Sequence, residues 1–239
     1  MNKQRLQKVL AAAGVDSRRK CEELILDGAV RVNRRVVDSL PVFVDPEEDI
    51  ITVHGRKIRA TNKVYFLLNK PKGVICTNSD PQGRKKAIDL INCKERIFCV
   101  GRLDIDTTGL IILTNDNELT NRLTHPRYEI SKTYVAQTKG NIQPAQIAKL
   151  KKGMWFAEGK TSGAAVKILK RSNKESSLQI TIRQGRNRQV RRMLAKMDLS
   201  AKSLKRTKIG RLTSRGLGTG KFRPLTKVEV AYLKKITAE

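Results

Sequence analysis

Apolar positions recur along this chain with two different periods, and the switches between them mark the elements. Leu6, Val9 and Leu10 share one face of a helix, and Gly14 ends that segment. Asp16 and Ser17 can cap a second helix with Cys21, Leu24 and Ile25 on its inner face and Gly28 at its end. Val30 and Val32, then Val36 and Val37, flank Asn33-Arg34 as a small hairpin. Arg34 occupies a turn position where positive φ strains any residue but glycine, so the tightness of that turn stays open. The polar run Arg59-Ala60-Thr61-Asn62-Lys63 reads as a linker.

A longer set of elements follows. Val64-Tyr65-Phe66-Leu67-Leu68 reads as a buried strand, and Pro71 and Gly73 then force a turn that leaves Lys70 and Lys72 on a loop. Two apolar strand-like stretches, around Val100 and from Leu110 onward, enclose Arg102-Leu103-Asp104. Asn115-Asp116-Asn117-Glu118 starts a helix with Leu119 and Leu123 inside and Pro126 at its end. Residues 132–136 and 178–182 read as strands, 144–150 as a short helix, and Val190, Met193, Leu194 and Met197 recur at helical spacing. The glycine-rich residues 216–220 read as a mobile loop, and Thr226-Lys227-Val228-Glu229 is a capping box for a last helix. This irregular interleaving predicts an α+β fold with a mixed sheet, divided into domains of residues 1–60 and 61–239.

Charge narrows the partners. The 239 residues carry 50 Lys and Arg against 22 Asp and Glu, a formal net charge of +28, which promotes fast, salt-dependent association with nucleic acid. No stretch approaches the roughly 20 apolar residues of a membrane span. The opening Met1-Asn2-Lys3-Gln4-Arg5 is followed by no apolar segment, so a cytoplasmic protein with no membrane partner is expected. Cys21, Cys76, Cys93 and Cys99 lack CxxC spacing, and His54 and His125 are the only imidazoles, so neither a structural metal nor a disulfide framework is expected. Four Tyr, five Phe and one Trp are too few for serial base stacking, and structured RNA or duplex fits better.

Several chemistries lack their residues. There is no phosphate-binding GxxxxGK[ST] loop, no GxGxxG after a strand, and no motif around either histidine. Asp104, Asp106, Asp116 and Glu118 are the carboxylates a metal-dependent nuclease would need, but Asp116 and Glu118 are better explained by the dipole at a helix start, and Asp106 by loop structure. What remains is Asp104 beside Arg102, Tyr134 in a strand, and an arginine-rich helix start. A lone Asp can attack or stabilise an anomeric carbon, which suits glycosidic-bond chemistry on a nucleotide. From the residues alone, Asp104 is equally a loop cap, Tyr134 a core aromatic, and Arg191 a solvent-facing arginine.

Two resemblances sharpen this picture. Arg5-Leu6-Gln7-Lys8-Val9-Leu10, Ser17 through Ile25, Gly28 and Val30-Arg31-Val32-Asn33 resemble the αL-type RNA-binding domain shared by a small-subunit ribosomal protein and several RNA-modifying enzymes. Its outer cations here are Arg5, Lys8, Arg18, Arg19, Lys20 and Arg31. Gly101-Arg102-Leu103-Asp104-Ile105-Asp106-Thr107-Thr108-Gly109-Leu110 resembles the signature of the ribosomal RNA pseudouridine synthases of the RsuA/RluB type. Asn69-Lys70-Pro71-Lys72-Gly73, Lys132-Thr133-Tyr134 and Gly185-Arg186-Asn187-Arg188-Gln189-Val190-Arg191-Arg192-Met193 match its other motifs in the same order.

The second resemblance implies that Asp104 is the catalytic aspartate, acting on the ribose of a flipped uridine as nucleophile or as stabiliser of the anomeric carbon. It implies that Tyr134 packs on the uracil and assists loss of the C5 proton, that Arg191 pairs with Asp104, and that Arg102 fills space near the displaced base. Lys70, Lys72, Arg186 and Arg188 would hold flanking phosphates. No metal or organic cofactor is implied, and a monomer is. Residues 183–193 resemble the large-subunit enzymes more than the small-subunit one, so 23S rRNA is the expected target. A 16S rRNA target and a non-catalytic RNA-binding ribosome-assembly factor are the alternatives.

Overall fold

The computed structural model describes residues 3–238, so Met1 and Asn2, part of the chain-start reading, lie outside the described residues. The chain divides into two compact units, one taking the chain up to Val64 with Cys93–Ile97 and Asn115–Asn117, the other taking the remainder.

In the first unit, β1 (Gln4–Arg5) leads into α1 (Leu6–Ala12) and α2 (Arg18–Leu26), followed by β2 (Val30–Val32), β3 (Arg35–Val37), β4 (Phe43–Val44), β5 (Ile51–Val53) and β6 (Arg56–Lys57). Strand β1 pairs with β4, and the other four form a sheet in the order β3-β2-β5-β6. Ser17 caps α2 by accepting the Lys20 amide at 3.2 Å. Leu6, Val9, Leu10, Cys21 and Ile25 from the helices meet Val30, Val44, Ile51 and Val53 from the strands in one core. The β2–β3 turn closes without glycine, with Asn33 at φ 50° and Arg34 at φ 70°. Left-handed backbone costs an ordinary residue roughly 1–2 kcal/mol. The Asn33 side chain offsets this by donating to Asp49 Oδ1 at 2.7 Å and accepting from the Ile50 amide at 2.9 Å.

The second unit is built on a mixed, mainly antiparallel sheet. Its strands are β7 (Tyr65–Lys70), β8 (Phe98–Cys99), β9 (Thr108–Thr114), β10 (Lys132–Lys139), the hairpin β11 (Trp155–Phe156) and β12 (Gly159–Lys160), β13 (Ala165–Arg171), β14 (Glu175–Ile182), β15 (Ala201–Ile209), β16 (Leu212–Thr213) and β17 (Phe222–Pro224). The main order is β13-β14-β10-β15-β9-β7-β17, with β16 on β15 and β8 on β9. Of the pairs between these strands only β15–β9 is parallel, and outside them Ile75 and Lys86 form a single parallel bridge. Helices α3 (Asn117–Thr124), α4 (Pro144–Lys152), α5 (Gln189–Ala195) and α6 (Lys227–Lys235) complete it. On one face, Leu67, Leu110, Ile112 and Ile209 pack against Leu119 and Leu123 of α3 and Leu233 of α6. The α+β architecture is thus the one that the irregular interleaving predicts.

Two local expectations are corrected. Lys70 is not on a loop: it ends β7 fully buried, its ammonium donating to Val74 O at 2.7 Å and Pro71 O at 3.0 Å. The strand runs two residues beyond its apolar run, because these carbonyls satisfy the ammonium inside the fold. The glycine-rich segment is tied down. Asn69 donates its amide to Lys221 O and its side chain to Leu217 O, and it accepts from the Gly220 amide at 2.7 Å.

Candidate active site

Strand β10 places Lys132 and Tyr134 two residues apart, hence on the same face of the sheet. Tyr134 stands opposite Arg206 of β15, while Thr133 pairs with Lys208 and Lys132 with Ile209, so Thr207 has no opposite residue. This bulge turns both Arg206 and Ile209, an odd number of residues apart, toward one cavity. On the other side of β15, the parallel partner of Arg206 is Gly109, where a Cβ would lie 2.2 Å from the Arg206 carbonyl oxygen. Only glycine permits that approach.

The cavity above this surface is about 140 Å³, comparable with the ~150 Å³ cavities that accept a benzene ring. Apolar side chains of Ile112, Leu123, Ile182, Val190, Leu204 and Ile209 line it, with Tyr134, Lys132 and Arg206. The loop between β8 and β9 supplies Arg102, Leu103, Asp104 and Thr107, and the approach to α5 supplies Arg186, Arg188 and Gln189. Asp104 is held from behind: its carbonyl accepts the Thr107 amide at 3.1 Å, the Leu103 amide reaches Cys76 Sγ at 3.4 Å, and the Gly73 amide donates to Ile105 O at 2.8 Å. The Cys99 thiol donates to Cys76 and pushes the Cys76 thiol down, while Cys99 itself is pushed up. Burial lowers Lys70 in the same region, against the opposing charges of Asp106 and Asp104. Among the described residues, no three His, Cys, Asp or Glu side chains group to hold a metal ion.

The charge pairing differs from the one expected. Arg191 meets Asp106, with Nη2 3.2 Å from its carboxylate and 3.2 Å from its carbonyl oxygen. The cation facing Asp104 is Arg188, at 3.4 Å, and it reaches Asp106 at the same distance. Arg188 begins α5 in left-handed backbone, φ 45°, so the chain turns there before the helix forms. Arg191, one turn further along, then reaches the far side of the loop. Asp106, read as loop structure, is the residue that both arginines share.

Residues 64–196 match the family described as RNA pseudouridylate synthase. The chain belongs to this family. Residues 4–50 match the S4 domain. The synthase is 49% identical over 236 residues to ribosomal large subunit pseudouridine synthase B of Bacillus subtilis (strain 168), covering 98% of this chain and 96% of that one. It is 42% identical over 233 residues to an RNA pseudouridine synthase of Aquifex aeolicus (strain VF5), covering 97% and 94%. A crystal structure of a pseudouridylate synthase superimposes with a TM-score of 0.71 at 30% identity, covering 96% of this chain and 99% of that one.

The remaining expected residues of the synthase fall into three groups. Arg5, Lys8, Arg18, Arg19, Lys20 and Arg31 are all exposed, Lys20 pairing with Glu23 at 2.5 Å. Lys72 and Arg102 are exposed too, Arg102 at the cavity. Arg186 lines the cavity, but its guanidinium is committed to carbonyls of Glu158, Gly159 and Lys160, so it fastens the β11–β12 hairpin instead of presenting a free fork. Sequence reasoning missed Arg206 altogether and gave Lys132 no role. The alternation of Leu204 and Arg206 is a usable signal, but the bulge that aims Arg206 is not.

Proposed function

We propose that this synthase converts a uridine of large-subunit (23S) ribosomal RNA to pseudouridine, with Asp104 acting at the ribose anomeric carbon of a flipped nucleotide. The supporting observation is that Asp104 and Tyr134 line one cavity of single-ring size with apolar walls. The target class rests on the name of the Bacillus subtilis relative. Flipping is needed because C1′ and uracil C5 are not accessible together within a stack.

In this reading, Asp104 attacks C1′ or stabilises its charge, and the C1′–N1 bond breaks with its electron pair on N1. The uracil turns, C5 bonds to C1′, the C5 proton is lost and N1 gains one, so no atom is gained or lost overall. Tyr134 packs on the base and assists loss of the C5 proton. Arg188 faces the Asp104 carboxylate, and Arg191 fixes the loop through Asp106. Arg102 fills the space the base vacates. Residues 1–60 bind RNA through their exposed cations, and residues 61–239 carry the reaction.

The test is tritium release from rRNA labelled at uracil C5. Release from 23S and not from 16S transcripts is the expected result. Release from 16S alone would reverse the target, and RNA binding without any release would leave a non-catalytic factor.

A further inference from the structure

Two cations in the cavity, Arg206 and Lys132, form no ion pair with an Asp or Glu among the described residues, although the Cys76 thiol is held down partly by the charge of Arg206. Arg206 is 4% exposed, its Nε donating to Leu110 O at 2.6 Å while its Nη2 is buried without a partner. The other such orphaned side-chain atoms among the described residues belong to Gln7, Asn69, Ser162 and Arg191, and none of these lines the cavity. Among the described residues the Lys132 ammonium makes one hydrogen bond, to Ile130 O at 3.1 Å. Burial, and then the charge of Arg206, pull Lys132 down to about 8. Neither cation forms a carboxylate ion pair among the described residues, and Ile112, Ile182, Leu204 and Ile209 surround the same space. A buried polar group without a partner is costly, and two like charges together are more so. An anion entering the cavity would relieve both costs.

Resting on the function proposed above, we infer that Arg206 and Lys132 bind the detached uracil as an anion, hydrogen-bonding its carbonyl oxygens while it turns. When C1′–N1 breaks, the electron pair passes to the base and spreads over N1, O2 and O4. Donors placed where that charge develops stabilise the transition state more than the bound uridine. The apolar walls and the single-ring volume favour a flat, delocalised anion over a tetrahedral phosphate. Tyr134, opposite Arg206, would then lie against the ring whose oxygens the cations hold. Both residues are thus catalytic in this account.

The test uses the full-length protein under single-turnover conditions, on large-subunit rRNA transcripts containing uridine or 5-fluorouridine, with loss of the N1-linked nucleoside read by chromatography. 5-Fluorouridine has no C5 proton to lose, so its C5–C1′-linked base takes up water, hydroxide at C6 and the proton at N1, instead of becoming pseudouridine. Arg206→Gln and Lys132→Met should each slow uridine conversion about 100-fold, with RNA affinity within threefold of wild type. Fluorine withdraws charge from the leaving base, so the loss should shrink to about tenfold on 5-fluorouridine. A folded variant within threefold of the wild-type rate, or an equal loss on both substrates, would overturn the inference. If Arg206→Gln does not fold by circular dichroism, Lys132→Met decides alone. A wild-type protein inactive on every rRNA would overturn the underlying function, a different failure from an active wild type with indifferent variants.

Discussion

Gly109 and Arg206 approach backbone to backbone so closely that a Cβ on Gly109 would stand 2.2 Å from the Arg206 carbonyl oxygen. Gly109 also has φ 103°, so alanine there meets both strain and a clash that no side-chain rotation relieves. Gly73, at φ 83°, has nothing within 4 Å of the same added atom. Gly73→Ala should therefore cost only about 1 kcal/mol, from backbone strain. Gly109→Ala should cost about 3 kcal/mol or more. Equal denaturation midpoints for the two variants would contradict this account of the β9–β15 pair.

Lys132 makes stability depend on pH in a stated direction. At pH 7 the lysine is charged folded and unfolded, and folding must bury that charge. Between about 8, its folded value, and the usual 10.5, the folded chain has released a proton that the unfolded chain keeps, so stability rises with pH. Lys132→Met should thus stabilise the fold at pH 7 by up to about 3 kcal/mol. That gain should fade as pH approaches 10.5. Urea denaturation of both proteins across this range checks it, and a pH-independent difference would count against a buried charge.

The amino-terminal cations should act through counterion release. Arg18 and Arg19 are exposed on α2 and make no ion pair among the described residues. Replacing both by alanine should lower the slope of log affinity for 23S rRNA against log salt by about 1.5, since each lost phosphate contact removes roughly 0.7–0.9. An unchanged slope would mean that this face does not meet phosphate.

Local periodicity made much of the fold legible. Leu6, Val9 and Leu10, the Ser17 cap and the Thr226-Glu229 capping box each stand where their spacing puts them, because these signals depend on neighbours within one turn. The site depends on contacts between distant segments. Asp104 and Tyr134 were visible as motif residues, yet the bulge at Thr207 that brings Arg206 beside Tyr134 leaves no mark in composition or period. Pairing preferences among several arginines and two aspartates are equally invisible: spacing offers Arg188 and Arg191 alike, and the left-handed start of α5 decides that Arg188 takes Asp104. Lys70 reads as a surface cation beside a turn because carbonyls able to solvate an ammonium inside the fold are backbone groups, which no side-chain pattern reports.

The central claim is that Asp104 performs the chemistry and does not merely shape its loop. Asp104→Asn keeps the size of the side chain and a hydrogen-bonding carbonyl while removing the charge, and it leaves the Arg191–Asp106 contact in place. The decisive measurement is tritium release from 23S rRNA labelled at uracil C5, made alongside rRNA affinity for the same two proteins. The account predicts release by the wild type, none above background by Asp104→Asn, and affinities within a few-fold. Equal release by both proteins would contradict it.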